Sequence, residues 1–262
     1  MVPGNESLNA SSSHPEDNSV LSFRFALRSV CFWGILFPMS LLGAQSVQAT
    51  NRFVPLSQVF DEDARDIPKI VEADYIDLSK IIGISKFRSA EGHDYCDSFE
   101  SCRSMKHYFK PKADADWGSI KIFSPVTGVV FDTEEEWAGT KIDIQPDKYP
   151  AFLITIFHVR LSQPVRSGER VTAGQQLGFH FGKETWSDIA VSMNTSAGRK
   201  LVSYFEAMPD SIFQEYHNRG VVSRDSAIIS KETRDLDPLI CRGGKFTTQG
   251  HRQNWLLLSQ SR

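Results

Sequence analysis

The residues best placed to do chemistry begin at His93. In the stretch SAEGHDYCDSFESC, residues 89–102, His93 and Asp97 lie four positions apart behind Gly92. An imidazole and a carboxylate at that spacing can reach a single metal ion. Catalytic zinc usually keeps three protein ligands and leaves a fourth position for water, whose acidity the ion raises until hydroxide forms near neutral pH. Two donors fall short of such a site, so the rest of the chain must supply more. His158, in FHVRL at 157–161, is a candidate acid or base, or else a strand histidine satisfied by a backbone carbonyl. His107, His180, His217 and His251 read as surface or structural residues. Tyr95, Tyr108, Trp137 and Trp186 could line a groove, although aromatics in a β domain commonly serve as core or rim.

The elements that must position these side chains belong to a chain of 262 residues, 40% hydrophobic and 23% charged, with a net charge of -3. That composition fits an ordinary globular protein with one large domain and extensions, and it gives no broad electrostatic reason to expect nucleic acid. Residues 1–20 are polar and rich in Ser and Asn, which predicts disorder. Arg24 and Arg28 then precede an apolar run from Val30 to Ala44, and a small-residue exit ends at Ala49. This is the pattern of a secretory signal peptide cleaved after Ala49, so the expected location is secreted or periplasmic, with no stable membrane span after cleavage. Pro38 and the shortness of the run argue against an uncleaved anchor. Cleavage would remove Cys31 and leave Cys96, Cys102 and Cys241, among which spacing alone does not choose a pair.

Residues 50–86 are expected as an N-terminal extension holding one short helix or two irregular ones. From Ile120 to Met193, short runs rich in Val, Ile and Phe, each bounded by Gly, Pro or Asp, predict an antiparallel β core. Within it, residues 164–182 carry Gly168 and Gly174 alternating with Val165, Val171 and Leu177, a rhythm of tight turns and inward apolar residues. Residues 194–262 are expected as a C-terminal helical extension and tail, with two amphipathic segments between Lys200 and Asn218 divided by Pro209, Asp210 as a cap and Gly220 as a stop.

In this order, His93-x3-Asp97, SPVTGVV (124–130), FHVRL (157–161) and VRSGERVTAGQQLG resemble the lysostaphin-type zinc endopeptidases, which cut peptide cross-links in peptidoglycan. The resemblance covers roughly residues 87–193. It implies a mainly β, antiparallel lysostaphin-like core with helical extensions at both ends, His93 and Asp97 as zinc ligands, and His158 as an active-site histidine. It also implies a His-x-His on the final strand. Here WSDIAVSM (186–193) offers Asp188 and Ala190 instead. Strand alternation with Ile189, Val191 and Met193 inward puts Asp188 and Ala190 on the site side, and a methyl group cannot bind zinc.

Two functions follow from these departures. One is an exported, catalytically degenerate relative that binds a cell-wall peptide or a cell-wall enzyme. The other is a zinc metallohydrolase with a variant site of His93, Asp97 and Asp188, in which His158 or Glu100 serves as base. A lipoyl-type carrier shares the glycine rhythm, but it needs a modifiable lysine at its hairpin tip and none is evident in 164–182. The insertion SFESCRSMKHYFKPKADADWGS between Asp97 and SPVTGVV reads either as a lid over the groove or as a disulfide-pinned surface excursion. It carries Arg103, Lys106, His107 and Tyr108.

Overall fold

Val- and Ile-rich runs that alternate with turn residues form paired strands because branched side chains pack well on a pleated surface. The computed structural model describes residues 59–60 and 66–259, and the expected leader and signal peptide lie outside them. The strands are β1 (Ile81–Ser85), β2 (His107–Pro111), β3 (Lys121–Phe123), β4 (Gly128–Glu136), β5 (Gly139–Pro146) and β6 (Phe152–Leu161). They continue with β7 (Arg170–Val171), β8 (Gln176–His180), β9 (Ser187–Thr195), β10 (Gly198–Val202), β11 (Cys241–Arg242), β12 (Lys245–Phe246) and β13 (Trp255–Leu257). The fold is mainly antiparallel β, as the sequence predicts. The main sheet runs β13-β1-β2-β9-β6-β5-β4-β7, with β10 on β9 and the β3–β8 pair joined through β8 to β6. A separate hairpin is formed by β11 and β12.

Three expectations are corrected. The insertion between Asp97 and SPVTGVV is not a surface excursion along its whole length, because residues 107–111 form β2 in the middle of the sheet, between β1 and β9. Its M-K-H-Y-F-K stretch is buried from Met105 to Phe109, leaving only Lys110 exposed. The apolar pattern after Ile76 becomes a short 3-10 turn at Leu78–Lys80 followed by a strand, since the β-branched run Ile81-Ile82-Gly83-Ile84 finds a partner in β2. The stretch read as two helical segments from Lys200 begins instead as β10, folded back on β9 through a turn at Gly198 with φ +129°. Helix α1 (Asp210–Asn218) follows with Pro209 at its N-cap, and Gly220 at φ +93° ends it. A second helix, α2, spans Lys231–Asp235.

The N- and C-terminal segments pack into one core with the central strands. Ile70, Val71 and Tyr75 meet Tyr204, Phe205, Tyr216 and Leu258 there. Asp74 receives hydrogen bonds from the Tyr216 hydroxyl (2.6 Å) and the Tyr204 hydroxyl (3.3 Å), which join the segment before β1 to α1. Burial pushes the Asp74 carboxyl up to about 7, against these hydrogen bonds.

His107 shows how a polar side chain is fixed inside this core. Its Nδ1 lies 2.8 Å from the Ser85 carbonyl and its Nε2 2.9 Å from the Ser203 hydroxyl. A carbonyl only accepts, so Nδ1 carries the proton and Nε2 accepts from the serine. Burial holds this imidazole down at about 4, against an ordinary value near 6.5. Below about pH 6.5 the unfolded chain takes up a proton that the folded chain refuses, so stability present above 6.5 is lost as pH falls toward 4. Burial pushes His180 in the same direction, and Asp74 acts oppositely. Urea unfolding of wild type and His107→Gln at pH 6.5 and 4.5 isolates the His107 share. The variant is expected to lose about 1.4 kcal/mol less per pH unit of acidification, the value for one proton.

Candidate functional site

Three neighbouring strands build the site by register. Asp188 in β9 lies directly opposite Phe157 of β6 on one side and opposite Tyr108 of β2 on the other. Cross-strand partners share a face of the sheet, so the carboxylate is flanked by two aromatic rings. Lys106 is two residues before Tyr108 and turns to that same face. Its ammonium lies 3.9 Å from the Phe157 ring centroid, 4.7 Å from Tyr95 and 5.2 Å from Tyr108. Such cation–π contacts are worth up to about 2 kcal/mol when desolvated.

That ammonium is 2.5 Å from Asp188 Oδ2, with the two side chains 2% and 0% exposed. The contact is one of opposite charges, since no directed hydrogen bond from a described residue reaches either Asp188 oxygen. Asp188 is a buried carboxylate whose nearest cationic group is Lys106.

His158 enters through a bulge. Between the pairs Thr140–Val159 and Ile142–Ile156, one residue of β5 faces two of β6, Phe157 and His158. His158 takes φ +60°, a region non-glycine residues rarely adopt. Bulges re-aim side chains next to functional sites, and this one puts His158 into the cleft beside Phe157. Its Nδ1 donates to the Ala138 carbonyl at 3.0 Å, and its Nε2 lies 3.5 Å from Asp188 Oδ1. Glu136 Oε2 lies 3.4 Å from Nδ1, and burial pushes the Glu136 carboxyl up from its ordinary range.

The cleft over these groups has a volume of about 870 Å³, within the range of about 300–1,000 Å³ for small-ligand pockets. Tyr95, Tyr108, Trp137 and Trp186 all line it. At its lip, Gly92 has φ +70°, and a Cβ there would fall 2.1 Å from the Tyr108 hydroxyl, so only glycine lets the chain pass over that ring. The β11–β12 hairpin supplies Lys245 and Phe246 to one wall. It is tied down by the Cys102–Cys241 disulfide and by the hydrogen bond from the Asp94 amide to the Gly244 carbonyl, 2.8 Å. The pairing left open by the sequence is thus Cys102 with Cys241. Cys96 keeps a free thiol that burial pushes up to about 11.

The structure brings His158 and Asp188 together and places His93 at the lip of the same cleft. Asp97 is spent elsewhere. Its Oδ1 accepts from the amides of Phe99 (2.9 Å) and Glu100 (3.1 Å), and its Oδ2 accepts from the Leu201 amide (2.8 Å). Glu100 is not a base in the cleft. It is clamped by Arg88 and Arg103 at 2.7 Å each, and their charges hold it below the usual carboxylate range although burial opposes this. Ala190 is packed in a small apolar cluster with Phe87, Met105, Phe157 and Leu201. Among the described residues no group of three or more His, Cys, Asp or Glu side chains is arranged to hold a metal ion. The residue that sequence reasoning missed is Lys106, which it placed in an insertion. The alternation in K-H-Y-F was the available signal, with Lys106 and Tyr108 on one face and His107 and Phe109 on the other.

No protein-family model and no curated protein matches this sequence. Among solved structures, the chain is similar to one described as a glycyl-glycine endopeptidase, LytM, from Ruminococcus gnavus. The identity is 17% over 39% of this chain and 43% of that one, with a TM-score of 0.30. It is similar to lysostaphin, at 12% identity over 45% and 52% of the two chains and a TM-score of 0.28. A third similarity is to the SpoIIQ–SpoIIIAH pore-forming complex, at 12% identity over 56% and 97% and a TM-score of 0.37. The match spans less than half the length of the first of these chains.

Proposed function

We propose that this chain is an exported, lysostaphin-type endopeptidase-like protein that has lost peptidase chemistry and uses its cleft to bind a cell-wall peptide. The Lys106–Asp188 ion pair carries the reading. On the sequence resemblance, the final strand should present two histidines, one at 188 assisting the water and one at 190 binding zinc. Here the first is a carboxylate already neutralised by an ammonium, and the second is a packed methyl. A zinc ion bound to Asp188 Oδ2 would sit within about 5 Å of the Lys106 ammonium. At an effective dielectric constant of about 20, their repulsion is about 7 kcal/mol. Asp97 is not among the residues that line the cleft and accepts from three backbone amides, so His93, Asp97 and Asp188 together fit zinc poorly.

What remains suits binding. The cleft has an aromatic lining, an ion-paired lysine within it and a wall tied down by a disulfide. Co-sedimentation with purified cell walls, with released peptides assayed in the supernatant, tests the reading. Walls are expected to carry the protein down uncut, with or without added zinc. Peptide release that depends on zinc would replace this reading with the variant metallohydrolase.

A further inference from the structure

Counted with their ion-pair partners, the lysines and acids at the cleft balance, but the lysines left without an ion-pair partner among the described residues stand at its open rim. The protein carries a net charge of -3, yet four lysines and only two glutamates line this depression. Two of the lysines are committed, Lys106 to Asp188 and Lys141 to Glu134. Lys183 and Lys245 are exposed and make no ion pair among the described residues. Of the two acids, Glu136 is turned toward His158, and only Glu184 stands at the open rim. Trp137 is 73% exposed at the same rim, an indole with little burial of its own.

From this we infer that the cleft recognises an acidic peptide, with Lys183 and Lys245 taking its carboxylates and Trp137 covering an apolar side chain. The inference rests on the binding role proposed above and names the ligand's charge. Lysine ammonium groups suit carboxylates as flexible point charges, and a positive rim over low-dielectric walls concentrates anions there. A peptide suits the lining better than a glycan does. Sugar hydroxyls are commonly met by planar amide, carboxylate and guanidinium groups, and of these the lining offers only Glu136 and Glu184. Its aromatic rings and isolated charges instead match apolar and carboxylate side chains. The Cys102–Cys241 bond matters here because it holds the hairpin that presents Lys245.

Calorimetric titration of the full chain tests this with three probes: a short peptide alternating Glu with Ala and Phe, the same peptide with Gln for Glu, and a short oligogalacturonate. The Glu peptide is expected to bind at least about tenfold more tightly than the Gln peptide at low salt. That gap should shrink as ionic strength rises from roughly 50 to 500 mM. The neutralising double variant Lys183→Gln/Lys245→Gln is expected to bring the Glu peptide close to the affinity of the Gln peptide, and the reversing variant Lys183→Glu/Lys245→Glu to take it below. Both positions are exposed, so the variants test recognition rather than folding. Equal binding of the two peptides overturns the acidic preference and leaves the binding role intact. Binding of the oligogalacturonate alone overturns the peptide assignment, and binding of none of the three overturns the acidic-peptide assignment, while co-sedimentation with cell walls decides the binding role separately.

Discussion

Replacing Lys106 by Met is expected to destabilise the protein by about 3–5 kcal/mol, the usual effect of leaving a buried carboxylate without its partner. Asp188 is fully buried and receives no directed hydrogen bond from a described residue, so nothing else nearby takes over from the ammonium except His158 at 3.5 Å. For a chain of this size the loss corresponds to a fall in Tm on the order of 10 °C. The diagnostic experiment is the double variant Lys106→Met/Asp188→Asn. With both charges gone, the thioether side chain of Met can fill the ring of Phe157, Tyr95 and Tyr108, and most of the lost stability should return. A double-mutant cycle by urea unfolding reads the coupling directly. A cost below about 1 kcal/mol for Lys106→Met would mean that solvent screens the pair as it does at a protein surface.

The second large effect is expected at the disulfide. Cys102 and Cys241 are separated by 139 positions, and closing a loop of that length restricts the unfolded chain by about 5 kcal/mol in the entropic account, with measured effects typically about 2–5 kcal/mol. The variant to use is Cys102→Ser/Cys241→Ser, because a single replacement would leave the remaining cysteine free to pair with Cys96. Thermal unfolding should fall by roughly 5–15 °C. The loss should be accompanied by faster proteolysis in the β11–β12 hairpin, since that hairpin pairs only with itself and is held to the cleft chiefly by this bond and the Asp94–Gly244 hydrogen bond. Unchanged cleavage of the hairpin would show that packing of Phe246 at the cleft wall suffices to hold it.

The parts of the molecule that could be read from the sequence are those governed by local periodicity. The alternation in WSDIAVSM predicted that Ile189, Val191 and Met193 face the core, and the structure places all three in the main apolar cluster while Ala190 packs in the other. The stop at Gly220 and the dense strands from Ile120 to Met193 were legible for the same reason. The site was not, because its features depend on partners distant in the chain. Lys106 in isolation looks like a solvated charge, and only the β2–β9 register brings it to Asp188. The β6 bulge that turns His158 into the cleft leaves no composition signal, since a histidine at positive φ is held there by the strands around it. Asp97 looked free to ligate until the Leu201 amide, far along the chain, claimed its second oxygen. Cysteine pairing follows the path of the chain, and spacing contains no record of that path.

Under the proposed function, the Lys106 ammonium is the cation that compensates Asp188, and no metal ion is needed there. The most direct measurement is metal content by mass spectrometry on the purified, folded chain after equilibration with trace zinc. His93→Ala and Asp97→Ala variants are measured beside it. The account predicts no stoichiometric zinc in wild type and no difference among the three proteins. About one zinc per chain, lost in both variants, would contradict it and restore His93, Asp97 and Asp188 as a working metal site.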